Sequence, residues 1–182
     1  MPSKPSDADL PPVSACSSPP CYAAEFPGYF GEGAEAVSQV VIDGLNALLE
    51  AERAGAKVLA ILRDGLDARS AQRPLLERLQ KGEGANAVRL YKTICRLGGV
   101  ASHDTGAFVQ KTLAVDGLAA RLAFLNKGQA WVVRKIDQVL PDLKVDAARE
   151  WLVEMRVWHR DNSTAARPCW PGAEGRGRVS GH

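Results

Sequence analysis

The chain has 182 residues, 46% of them hydrophobic and 24% charged, a composition that supplies one domain with a sizeable core and excludes full disorder. Its 23 basic and 21 acidic side chains leave a formal charge of +2, too balanced for nucleic acid or an anionic membrane to be the main partner. No apolar run approaches the roughly 20 residues that span a bilayer, and the opening MPSKPSDADLPPVSA lacks the apolar core of a secretory signal, so the expected location is the cytoplasm.

Residues 1–34 carry proline at positions 2, 5, 11, 12, 19, 20 and 27, which removes backbone donors and forbids a regular helix. This segment reads as a Pro-rich strap or tail, and its stretch PPCYAAEFPGYF is aromatic enough to pack along the body. From about Glu35 to Arg69, a single face at helical spacing holds Val41, Leu45, Leu48, Glu52, Gly55, Leu59, Leu62 and Leu66. A second helix is predicted from about Gln72 to Leu97, with Pro74 in its first turn and Gly98-Gly99 past its end. Its stripe is Leu76, Leu79, Glu83, Asn86, Leu90, Thr93 and Leu97.

A connection of about 18 residues follows, with one short amphipathic piece from Thr105 to Leu113. Asp116 is the expected N-cap of a third helix that Pro141 and Asp142 terminate, with the stripe Leu118, Leu122, Leu125, Gln129, Val132, Ile136 and Val139. The fourth helix, about Lys144 to Ala165, presents Val145, Ala148, Leu152, Met155, His159 and Asn162. Residues 167–182 are Gly-rich without apolar periodicity and read as a flexible tail. Four long amphipathic helices joined by short outer links and a long middle one predict an all-α four-helix bundle, residues 35–166, whose crossover lies between helices two and three. Cys16, Cys21, Cys95 and Cys169 have neither zinc-ribbon nor disulfide-framework spacing and are expected as thiols. Trp131, Trp151 and Trp158 are expected to anchor packing. There is no Walker loop and no GxSxG, so a glycine-cradled nucleotide site and a serine-hydrolase elbow are not expected.

Each helix interrupts its apolar stripe with a hydrogen-bonding or ionisable residue: Glu52, Glu83 with Asn86, Gln129, and His159. A buried carboxylate left alone would protonate or require a cation, so these residues should meet. Glu83 and Asn86 stand at i, i+3 on one face, the spacing by which one helix offers two ligands to one ion. Glu83 lies between Gly82 and Gly84, which predicts either fraying or a close backbone approach.

Through PPCYAAEF, LNALLEAERAGAKV, the RLGG turn, TGAF, LAFLNKGQAWVVRKI and the stretch around EMRVWH, residues 20–163 resemble the ferritin-like superfamily, and more narrowly a bacterial ferritin-like family of unknown function. The resemblance implies a ferritin-like four-helix bundle and a site for iron or manganese. It makes Glu52 the carboxylate of helix one, Glu83 the first residue of a Glu-x-x-His motif and His159 the histidine of helix four. Asn86 stands where that motif has histidine, and Gln129 where helix three has glutamate. The residue three before His159 is Arg156, and Glu154 is rotated about 140° away around the helix. This set cannot assemble a dinuclear centre. Glu52, Glu83 and His159 are therefore the expected metal ligands for one ion in redox chemistry, with Asn86 and Gln129 completing or orienting its shell. The alternative is a metal-free bundle that serves as a protein-binding or scaffold module. Such bundles pair through an exposed helix face, so a homodimer is expected.

Overall fold

The computed structural model describes residues 37–165. The expected strap over 1–34 and tail over 167–182, with Cys16, Cys21 and Cys169, lie outside the described residues. The helices are α1 (Gln39–Asp64), α2 (Arg73–Arg96), α3 (Phe108–Leu113), α4 (Leu118–Val139) and α5 (Asp146–Ala165). Among the described residues there is no strand, and the fold is the expected all-α bundle. The short piece predicted in the crossover is α3.

Two helix ends differ from expectation. α1 stops at Asp64, short of Arg69, because Gly65 caps it and the Arg73 guanidinium, arriving from the start of α2, donates to the carbonyls of Arg63 (2.8 Å) and Leu66 (3.0 Å). α4 is not capped by the Asp116 side chain. Its N-cap is Gly117 at φ 80°, and Arg121 reaches back to the carbonyls of Val115 (2.7 Å) and Leu113 (2.9 Å), fastening α3 to α4. The end of α2 follows the sequence: Gly98 at φ 77° lets its own amide reach the Cys95 carbonyl and the Gly99 amide reach that of Ile94, a Schellman pair.

The apolar stripes face inward almost as read, with Leu66, Leu97 and Leu118 half-buried and Val145 exposed before α5 begins. α1 packs against α2, α3 and α4, and α5 lies on α4 and α2. The buried apolar residues form two clusters. One joins Leu45, Leu48 and Leu49 of α1 to Leu90, Ile136 and Leu152. The other joins Val58, Leu59 and Leu62 to Leu76, Leu79 and Leu122. Following α1, the chain passes from the first cluster to the second; α2 and α4 both run the opposite way and α5 returns. Two consecutive long helices therefore run parallel, which only the crossover permits.

The crossover is tied down along α1. Asn46 donates to the Val100 carbonyl at 2.9 Å and accepts from the Ser102 amide at 2.7 Å, Glu50 accepts from the Ser102 hydroxyl at 2.6 Å, and Arg53 donates to the Ser102 carbonyl. These bonds satisfy backbone groups that a loop crossing a helix would otherwise leave unpaired. They also hold α3 over the side of the bundle.

Candidate functional site

Between the two apolar clusters the four long helices contribute a single polar layer. Glu52, Glu83 and His159 are at most 1% exposed and Gln129 is 7% exposed; Asn86 is half-buried at the edge. All five meet. Asn86 Nδ2 donates to Glu52 Oε2 at 3.0 Å, so its partner is the carboxylate of α1 and not that of its own helix. Gln129 Nε2 donates to Glu83 Oε1, and the Gln129 carbonyl faces His159 Nδ1. His159 Nε2 lies 2.9 Å from Glu52 Oε1.

This chain of bonds fixes the imidazole. Because the Gln129 amide spends its N–H on Glu83, its oxygen must accept from His159 Nδ1–H. Neutral His159 then presents a bare lone pair at Nε2. That atom is buried and makes no hydrogen bond of acceptable geometry, although the Glu52 oxygen is at hydrogen-bonding distance. A lone pair held against a carboxylate oxygen is repulsive unless a proton or a cation stands by.

Glu83 feels the same shortage of positive charge. Burial pushes its carboxyl well above the usual carboxylate range, the Glu52 charge pushes it further, and the bond from Gln129 opposes both. Its position depends on a gap in α1: a Cβ on Gly55 would stand 1.7 Å from Glu83 Oε2 and 2.7 Å from its Cδ. Gly82 serves the other side of α2, where a Cβ would come within 2.2 Å of Trp158, and nothing lies near Gly84. The helix does not fray at Glu83; of the two readings of those glycines, close approach holds at Gly82.

The donor types in the layer are ones that divalent cations take. Two carboxylates balance the charge of one such ion, and the unbonded Nε2 adds a nitrogen ligand. Among the described residues a second ion has no ligands to hold it. Arg156 pairs with Asp137 at 2.6 Å and Glu154 reaches Arg89 at 3.4 Å, both on the bundle surface. The arrangement is not a ready-made cage either: among the described residues no group of three or more His, Cys, Asp or Glu side chains is placed to hold a metal ion.

A cavity of about 510 Å³ opens between α1, α4 and the crossover and reaches Glu52, Glu83 and Gln129. Its walls are apolar. Phe108 of α3 stacks on Phe124 of α4 with centroids 5.4 Å apart and planes at 23°. Gly128 admits that pair, because a Cβ there would lie 2.7 Å from the Phe108 ring. Trp151 is buried beneath Arg89 and Trp158 packs over Gly82, as packing anchors should. Trp131 does not fit that expectation; it is 41% exposed and lines the cavity. Sequence reasoning put Gly55 on the inward stripe without a role for it, and it missed Gly128, Phe108 and Phe124. The available signal was a glycine beside or one turn from a polar interruption, at Gly55 after Glu52 and Gly128 before Gln129.

Residues 39–168 match the family model described as Domain of unknown function (DUF6306). Among solved structures, the chain is similar to a crystal structure of "ferritin like, diiron-carboxylate proteins from Bacillus anthracis str. Ames", at 17% identity, over 75% of this chain and 93% of that one, with a TM-score of 0.54. At that identity the likeness shows the fold, a ferritin-like bundle. No curated protein matches the sequence. No helix among the described residues is long and apolar enough to cross a membrane.

Proposed function

Because the chain belongs to the DUF6306 family and folds as a ferritin-like bundle, we propose that it binds one divalent iron or manganese ion through Glu52, Glu83 and His159, with Asn86 and Gln129 orienting those ligands. The observation that carries this reading is the buried, unbonded Nε2 of His159 beside two buried carboxylates. Held by these residues, one such ion would supply positive charge and a one-electron redox couple. The side chains do the rest: Gln129 holds the His159 tautomer, Asn86 aims Glu52, and Gly55 makes room for Glu83. Two ligating carboxylates and one imidazole would leave room on such an ion for water or a small molecule arriving through the cavity.

The test is metal analysis of full-length protein purified without chelator or histidine tag, followed by titration of the metal-free chain with Fe(II) and Mn(II). One equivalent per chain is expected, lost in Glu83→Ala and in His159→Ala, with affinity reduced 10- to 100-fold in Asn86→Ala. A second reading has its own support: the amides already engage both carboxylates, so the layer can stand without metal as the core of a scaffold module. Absence of uptake by a chain that folds normally would select it.

A further inference from the structure

The mouth of the cavity carries three cations, Lys111 of α3 and Lys127 and Arg134 of α4. All are exposed, and none has a side-chain hydrogen bond or ion pair among the described residues. Glu50, the carboxylate on the same rim, is already accepting from Ser102. Below them the walls are Phe108, Phe124, Leu125 and Val132, and Glu52 and Glu83 lie at the bottom. The charge is thus arranged along the depth: unspent positive charge outside, apolar surface in the middle, engaged carboxylates within.

From this order we infer that the cavity binds an amphipathic organic carboxylate, its head on Lys111, Lys127 and Arg134 and its apolar body running inward. An amphipathic amine would have to bury its head beside Glu52 or Glu83, where Asn86 and Gln129 already donate to one oxygen of each, whereas Lys111, Lys127 and Arg134 make no side-chain hydrogen bond or ion pair among the described residues. The volume lies within the range of pockets that enclose a small organic ligand. Apolar burial supplies the affinity, and the cations choose the headgroup and speed its entry. The ligand shares the cavity with the proposed metal and would bring an unactivated hydrocarbon end toward it, yet binding needs only this chain's own side chains.

The experiment titrates the metal-free, full-length protein with decanoate, decan-1-ol and decylamine, three heads on one tail, each below its micelle concentration. Decanoate is expected to saturate one site and to bind at least tenfold more tightly than decylamine, with an affinity that falls as salt is added. The triple variant Lys111→Ala/Lys127→Ala/Arg134→Ala changes only exposed side chains, so it retains the fold. It should weaken decanoate at least tenfold and leave decanol within about twofold. Decylamine binding as tightly as decanoate, an unaffected triple variant, or no saturable decanoate site would each overturn the inference. Metal uptake does not enter: a chain that takes decanoate but no iron loses only the metal reading, and one that takes iron but no decanoate loses only this one.

Discussion

Replacing Gly55 by alanine isolates the contact on which Glu83 depends. In an ordinary helix interior that change stabilises by about 1 kcal/mol. Here the new methyl would stand 1.7 Å from Glu83 Oε2, so the carboxylate must leave. An exposed side chain would swing aside at little cost, but this one is 1% exposed and held by Gln129. Moving it breaks the bond from Gln129 and leaves a buried polar atom unpaired, about 1–3 kcal/mol. The net expectation for Gly55→Ala is a loss of about 1 kcal/mol. In a Glu83→Ala background the obstacle is gone and the same change should stabilise by about 1 kcal/mol. The sign therefore reverses, with a coupling of about 2 kcal/mol between the two sites. Urea unfolding of the four proteins in metal-free buffer, with slopes compared to guard two-state behaviour, measures it. Equal shifts of Gly55→Ala in both backgrounds, within about 0.5 kcal/mol, would refute the close approach of α1 to Glu83.

Protonation of Glu83 gives a second test. Its folded-state pKa is raised, so the stability it contributes is complete below the unfolded value of about 4.3 and is lost as pH rises toward the folded value. Glu83→Gln, which keeps the shape without the charge, should match the parent near pH 4 and become increasingly more stable than it as pH rises, seen in thermal melts of metal-free protein; a constant difference across that range would contradict the assignment. Gly98→Ala places a side chain at φ 77° with nothing within 4 Å of its Cβ, so backbone strain alone should cost about 1 kcal/mol and a few degrees of Tm. Gly128→Ala drives a methyl to 2.7 Å from Phe108 and should cost about 1–2 kcal/mol after its helix-propensity gain. A decanoate affinity unchanged in that variant would show that the Phe108 wall does not shape the cavity.

How much could be read in advance follows from what a helical stripe encodes. Periodicity reports which side chains share a face, and it placed Glu52, Glu83, Gln129 and His159 on four inward faces. Equal height required one more fact, the direction of each helix, and the long crossover provided it. Their partners were not encoded in that way. Asn86 shares a stripe with Glu83 and still bonds Glu52, because a residue half-buried at the edge of one helix lies nearer the neighbouring helix than the centre of its own face. The cavity was less legible still. Lys127 lies off the apolar stripe and Trp131 reads as a packing anchor, and they became a rim only because Asn46, Glu50 and Arg53 hold the crossover along α1, so that Phe108 of α3 closes over Phe124 of α4. The polar residues of α1 thus do two jobs: Glu52, turned inward, builds the layer, and Asn46, Glu50 and Arg53 position the wall that governs access. Loosening Ser102 should consequently alter ligand entry while leaving the Glu52 and Glu83 bonds intact.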